Sequence, residues 1–213
     1  MQNTSDTRIN GSRNGGESLF EGLTFKVATN TERVRAVEFR NEMYREEFGD
    51  PAIDEQELRA FYLVAISEST EIAATFRLLD ERPFEIERYL GPNQKLALGH
   101  RPAELGRLCV RPSWRRIRQQ MFLHLGLLKL ALEFARRRQI TDFLIGSLDN
   151  LQNFYAKALF KPLGISYHHP VGGTLHLMRL DLVELATLSD RTDQPFFKYL
   201  LGPIPPNIVL EGN

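Results

Sequence analysis

The stretch from Arg77 to Tyr155 carries side chains of the kinds that hold anions and move protons. Glu104 and Arg107 interrupt an apolar run, Glu104-Leu-Gly-Arg107-Leu-Cys-Val110, that reads as a strand. A carboxylate placed there can exchange a proton with a bound group, directly or through water. A charged guanidinium inside a strand needs a partner, because an unpaired buried charge is costly. Arg77 and Arg107 therefore have two readings: salt bridges to Glu104, Asp50 or Asp54, or a forked grip on a substrate carboxylate. Arg111, Arg115, Arg116 and Arg118 follow the strand and open a long helix. Backbone N–H groups and the helix dipole attract anions at such an end, and guanidinium forks suit phosphate. The alternative is a solvated basic helix end. Cations there oppose the dipole, which favours a bound anion. The lone cysteine, Cys109, reads as a small core residue, since a nucleophilic thiol wants a neighbouring base and positive surroundings. His168, His169 and His176 lack ligand spacing to Cys or carboxylates, so no metal site is expected.

These side chains need elements to hold them. Leu23–Thr29 reads as a strand, and Asn30-Thr31 caps a helix that fades near Phe48-Gly49-Asp50-Pro51. Phe61–Ile66 and Ile72–Leu79 read as two strands around a turn. Residues 80–101 form a long irregular loop, the sort that often lines a site. After the strand Glu104–Val110, a helix is expected over Trp114–Arg138, with Ile117, Met121, Phe122, Leu125, Leu128, Leu132, Phe134 and Ala135 as its apolar face. Then come a strand (Phe143–Ser147), a short helix (Leu151–Leu159) and strands Ile165–His168 and Thr174–Leu182. Residues 1–18, poor in large apolar side chains, are expected to be disordered, and Pro195–Asn213 to pack as irregular chain. The order predicts one α/β (α+β) domain over residues 19–213, a mixed, mostly antiparallel sheet flanked by helices, with one parallel crossover.

Composition narrows the function classes. Lys+Arg and Asp+Glu each number 27, so no global field favours nucleic acid or an acidic membrane. No apolar run approaches the roughly 20 residues that span a bilayer, so no stable membrane insertion is expected. A single cysteine cannot form an internal disulfide and points to a reducing, cytoplasmic setting.

Val110-Arg-Pro112-x-x-Arg115 before a long helix resembles the acyl-donor motif of the GCN5-related N-acetyltransferase superfamily. Tyr155-Ala-Lys157-Ala-Leu-Phe160 resembles its Tyr-x-Lys-x-Gly-Phe segment, with Leu159 where glycine is usual. Arg35-x-x-x-Phe39, Asp50 and Asp54, Arg77-Leu78-Leu79 and Glu104-x-x-Arg107-x-x-Val110 resemble the branch of acyl-homoserine-lactone synthases and long-chain N-acyl amino acid synthases, the N-acyltyrosine type included. The signature Trp of the first helix is absent, and Tyr44 and Phe48 stand in that region.

The resemblance implies a GNAT-like acyltransferase in which Tyr155 protonates the leaving thiolate and the backbone at Leu108, Cys109 and Val110 binds the thioester carbonyl. Glu104 would receive the amine proton, Arg77 or Arg107 would hold the acceptor, and Arg111, Arg115, Arg116 and Arg118 would anchor the donor. Arg116, Arg118 and Gln120 stand where acetyl-CoA enzymes carry glycines that let the backbone wrap a pyrophosphate. That departure points to a donor with one phosphate, the acyl-phosphopantetheine arm of acyl carrier protein, and to no tightly bound cofactor. Phe76, Phe84, Phe122, Leu125, Phe143, Ile145 and Phe154 are candidates for an acyl slot. The expected reaction moves a medium or long acyl chain from acyl carrier protein to an amino acid's α-amine. The alternatives are an acetyl-CoA-dependent N-acetyltransferase, an acyl-homoserine-lactone synthase, or a non-catalytic lipid- or carrier-binding module.

Overall fold

A computed structural model describes residues 22–49, 55–91, 94, 96, 98–188 and 194–210, apart from the side chains of Ile117 and Arg118. The N-terminal segment 1–18 and the acidic residues Asp50 and Asp54 lie outside the described residues. Among the described residues, eight strands form one sheet: β1 (Leu23–Val27), β2 (Phe61–Ser67), β3 (Ile72–Leu79), β4 (Pro102–Val110), β5 (Asp142–Ser147), β6 (Lys161–His169), β7 (Gly173–Asp181) and β8 (Ile208–Val209). Their spatial order is β6-β7-β5-β4-β3-β2-β1-β8. Neighbours are antiparallel except β4–β5 and β1–β8.

The helix α1 (Asn30–Phe48) starts one residue earlier than the sequence suggests. Thr29 is its cap: the Glu32 N–H donates to the threonine hydroxyl, and the Glu32 carboxylate accepts from the Thr29 N–H at 2.9 Å. It ends at Gly49, whose positive φ of 75° suits glycine. α1 buries Ala36, Phe39, Arg40 and Met43 against one face of the sheet. The long helix α2 (Ile117–Arg138) covers the other face, with Leu123, Leu127, Leu130 and Ala131 fully buried. Trp114 is not part of it; Pro112–Trp114 form a 3-10 turn, since proline fits the first position of a turn that then redirects the chain. Met121, expected on the apolar face, is half exposed.

The shorter helices are α3 (Gln152–Lys157), α4 (Leu182–Thr187) and α5 (Pro195–Leu201). The expectation of irregular chain after residue 195 is corrected. Phe196, Phe197 and Leu200 pack α5 on the core, and the Pro-rich stretch beyond it leads into β8, which pairs with β1. Lys129 of α2 fastens this segment: its fully buried ammonium donates to Glu133 and to the carbonyls of Leu200 and Gly202. Among the described residues, no helix is long and apolar enough to cross a membrane.

What shapes the site is the join of β4 and β5. Their parallel ladder runs from Pro102–Asp142 to Glu104–Leu144 and stops. Beyond it β4 stays on β3 and β5 stays on β7, so a fork opens between them. On the β3 side, three steps of β4 (Gly106 to Cys109) oppose two of β3 (Thr75 to Arg77), a bulge in which Arg107 takes a positive φ of 54°.

Candidate active site

A cleft of about 370 Å³ runs through the fork. Glu104 to Val110 line it continuously along β4. Residues of α1 and of the 84–89 segment close one side, and residues of α2, α3 and the β5 end close the other.

On the α1 side, Glu85 is the hub of a buried ionic cluster. It accepts from Arg77, from Arg107 (Nε at 3.0 Å, and Nη2) and from His169 Nε2 at 3.2 Å. Arg77 also donates to Glu57 at 3.2 Å, and Glu57 pairs with the fully buried Arg40. Burial alone would raise the Glu85 carboxyl. The hydrogen bonds from His169 and Arg107 and the nearby guanidiniums outweigh it and hold the group well below the usual carboxylate range. His169 Nδ1 accepts the N–H groups of Val171 and Gly172 at 3.2 and 3.0 Å, which leaves Nε2 as the protonated nitrogen facing Glu85. The two arginines therefore take Glu57 and Glu85 as partners, and the expected pairing of Arg107 with Glu104 is corrected. The bulge is the cause: it turns Arg107 toward Glu85, with its guanidinium 5.8 Å from the Tyr44 ring centre.

Glu104 stands apart from that cluster. It is 3% exposed, and its Oε2 accepts the Ile86 N–H at 3.1 Å. Burial, reinforced by the negative charge of Glu85, pushes its carboxyl up to about 8. A carboxyl in that range can exchange a proton with an amine near neutral pH.

On the other side, Tyr155 of α3 lines the cleft with its ring edge-on to Phe154 and Phe160. Burial pushes its phenol up to about 12, so it carries its proton at neutral pH. His124 and Gln120 of α2 share this wall. The His124 imidazole sits edge-on to Phe154, and burial lowers it to about 4, so it is neutral. Leu159, in the place where the related segment has glycine, takes a φ of 68°. That is the left-handed backbone glycine adopts without strain, and it explains the usual residue.

The remaining expected site residues divide. Leu108, Cys109 and Val110 line the cleft. The Arg111 N–H donates to Ala73 on β3, so the N–H of Val110, one residue back, turns to the fork edge. The Cys109 thiol is pushed up to about 12 by burial, the opposite of an activated thiolate. Arg115 reaches the cleft, held by Val110 O at 2.7 Å and paired with Glu47 of α1. Arg111 does not line it; its guanidinium sits over Phe39 and bonds Glu71 and the Ile72 carbonyl. Arg116 is exposed at the start of α2, and the Arg118 side chain lies outside the described set. Arg77 lies behind the cleft wall, 1% exposed. None of the seven residues named for an acyl slot lines the cleft; Phe76, Phe84, Phe143 and Ile145 are core. Its apolar lining includes Ile86, Leu105, Leu108, Leu148, Leu151 and Leu175.

Sequence reasoning missed Glu85, His124, Tyr89 and Tyr167 as site residues. The length of the 80–101 loop was the one signal pointing to Glu85 and Tyr89. No group of three or more His, Cys, Asp or Glu among the described residues can hold a metal ion.

A family model described as N-acyl amino acid synthase FeeM matches residues 35–181, the span that carries the fork and both walls of the cleft. The chain belongs to the FeeM family of N-acyl amino acid synthases. It is an acyltransferase of the GNAT fold. No curated protein matches it by sequence. Among solved structures it is similar to FeeM itself, from uncultured soil microbes, at 14% identity and a TM-score of 0.58 over 80% of this chain and 98% of that one. It is also similar to BjaI, a CoA-dependent acyl-homoserine lactone synthase solved with SAM and isopentyl-CoA, at 17% identity and a TM-score of 0.62 over 90% and 95%. A GCN5-related N-acetyltransferase from Kribbella flavida aligns at 17% identity and a TM-score of 0.51 over 76% and 98%. At these identities the structural matches speak to the fold.

Proposed function

We propose that this FeeM-family member moves a medium- or long-chain acyl group from the phosphopantetheine arm of acyl carrier protein to the α-amine of an amino acid. The observation that carries the reading is the placement of two proton-handling groups, Glu104 and Tyr155, on opposite walls of one fork lined by β4 backbone.

The amino acid enters on the α1 side, where Arg107 offers its guanidinium to the carboxylate. Arg77 works from behind the wall by holding Glu85, and so Arg107, in place. The donor enters between α2 and α3. Its thioester carbonyl lies against the fork-facing amides of Leu108–Val110, where the tetrahedral oxyanion is stabilised. The free amine attacks, the C–N bond forms and the C–S bond breaks. The nitrogen's surplus proton goes to Glu104, and Tyr155 supplies a proton to the departing thiolate. Solvent then resets the two groups.

Arg115, with Arg116 and Arg118 beside it, meets the donor phosphate or the acidic carrier. Arg111 contributes by fixing the strand end. The side chains of Arg116, Arg118 and Gln120, in place of glycines, disfavour the wrapped pyrophosphate of a CoA donor. A reducing cytoplasmic setting belongs to the same reading and rests on the single, buried cysteine.

The test is incubation of the pure protein with C2 to C16 acyl carrier proteins and a pool of amino acids, with acyl-CoA donors in parallel and mass spectrometry of the products. Carrier-dependent formation of an acyl amino acid is expected. Product from acyl-CoA alone would overturn the donor assignment, and no product from any donor would overturn the reaction.

A further inference from the structure

Gly106 of β4 and Gly146 of β5 each lie two residues beyond the last paired positions, Glu104 and Leu144, and both line the cleft where the fork begins. Over each glycine sits one proton-carrying group. A Cβ built on Gly106 would lie 3.6 Å from Glu104 Oε1. A Cβ built on Gly146 would fall on the Tyr167 hydroxyl, which therefore occupies the space that this glycine leaves open. Tyr167 comes from β6, lines the cleft and is 7% exposed. Its ring is stacked on Tyr89 (centroids 5.7 Å apart, planes within 10°), and Tyr89 is packed edge-on to His169. The ring is thus fixed, yet no hydrogen bond to its hydroxyl is found among the described residues. A hydroxyl held rigidly at the wall of the cleft is positioned to bond a group of the substrate. Burial, with the charges of Glu104 and Glu85 next in weight, keeps the phenol neutral. A neutral hydroxyl can accept a hydrogen bond from an amine while a neighbouring carboxylate takes a proton.

We propose that the acceptor nitrogen binds between Glu104 and Tyr167, the Tyr167 hydroxyl accepting one N–H so that the nitrogen lone pair points across the fork at the thioester carbon. Tyr167 is then a second substrate-contacting residue beside Glu104, and Gly146 is glycine to make room for its hydroxyl. The inference rests on the reading that an amino acid amine is the acceptor.

The experiment compares wild type with Tyr167→Phe, which keeps the stacked ring, in initial-rate assays that vary donor and acceptor separately. Hydrolysis of the same acyl thioester by water, without acceptor, is followed in parallel. Loss of one hydrogen bond to the reacting amine should lower kcat/KM for the acceptor about ten- to a hundredfold. The donor KM and the hydrolysis rate should stay unchanged. Gly146→Ala, whose methyl would meet both the Tyr167 hydroxyl and its ring carbon Cζ and so shifts the whole side chain, should give the same loss for the acceptor, and combining it with Tyr167→Phe should add little further. Full acceptor kcat/KM in both variants would overturn the inference while leaving the acyltransferase reading intact. An equal fall in hydrolysis would also overturn it, since the hydroxyl would then act on the thioester. If wild type acylates no amino acid from any donor, the acceptor reading falls and this inference with it.

Discussion

On the α1 side of the cleft, Arg77, Glu85, Arg107 and His169 are tied together before any substrate arrives, and all four are buried or nearly so. On the α2 side, Arg115 has a half-exposed carboxylate partner, Glu47, while Tyr155 and His124 stand among aromatic rings. The buried cluster is costly to rearrange, because each charge depends on the others for what water would otherwise supply. It suits a small, charged acceptor that must be placed to within a fraction of an ångström of the thioester. The α2 wall commits fewer of its groups and suits a long, flexible arm delivered from outside. The two walls differ in what their mutation should break: folding and acceptor geometry on one, donor affinity on the other.

The largest expected effect separates the walls by stability. Glu85→Ala takes from Arg77 and Arg107 their shared carboxylate and should cost about 3–5 kcal/mol in urea denaturation. Glu85 is held below its ordinary value, so its contribution is present above about 4.5 and fades as pH falls toward its lowered value. Arg115→Ala should change stability by no more than about 1 kcal/mol, since both members of its pair are 36% exposed.

Next comes Glu104→Gln, which should lower kcat by about 100-fold or more while leaving donor KM in place. The same substitution has an opposite signature in stability. The Glu104 carboxyl is raised in the folded protein, so the unfolded chain releases this proton first as pH climbs. Wild type should lose stability relative to Glu104→Gln between about 4.5 and 8. On the opposite wall, Tyr155→Phe should reduce turnover by about 100-fold with donor binding unchanged, measured by single-turnover kinetics on preloaded protein. The smallest effect is the sharpest on place: Arg115→Ala should raise donor KM several-fold and leave acceptor KM untouched.

The same contrast divides what was legible in the sequence. The α2 wall could be read because its residues are local. Arg115 stands where a strand gives way to a helix, periodicity finds α2, and Tyr155 is marked by the resemblance of Tyr155-Ala-Lys157-Ala-Leu-Phe160 to the Tyr-x-Lys-x-Gly-Phe segment. The strand Glu104–Val110 could be read as well, with its charged residues standing out in an apolar run. The α1 wall could not. Glu85 lies in an irregular loop, and its partners come from β3, β4 and β6, brought together only by the sheet order. The bulge that turns Arg107 toward Glu85 leaves no mark in composition, which is why Glu104 was the natural but mistaken partner. Tyr167 and Gly146 share the difficulty: a hydroxyl filling the space above a glycine two strands away has no sequence pattern. Likewise α5 and β8 form because Lys129 and the β1 edge hold a segment whose prolines favour irregular chain.

The division of labour across the fork hinges on Glu104 receiving the amine proton. The most direct measurement is the pH dependence of kcat/KM for the acceptor in wild type and in Glu104→Gln, with donor saturating. Wild type should show an acid limb with a midpoint near 8, where the buried carboxyl gives up its proton, and the residual activity of the variant should lack that limb. The same limb in both proteins would contradict Glu104 as the base and with it the assignment of the α1 wall to the acceptor.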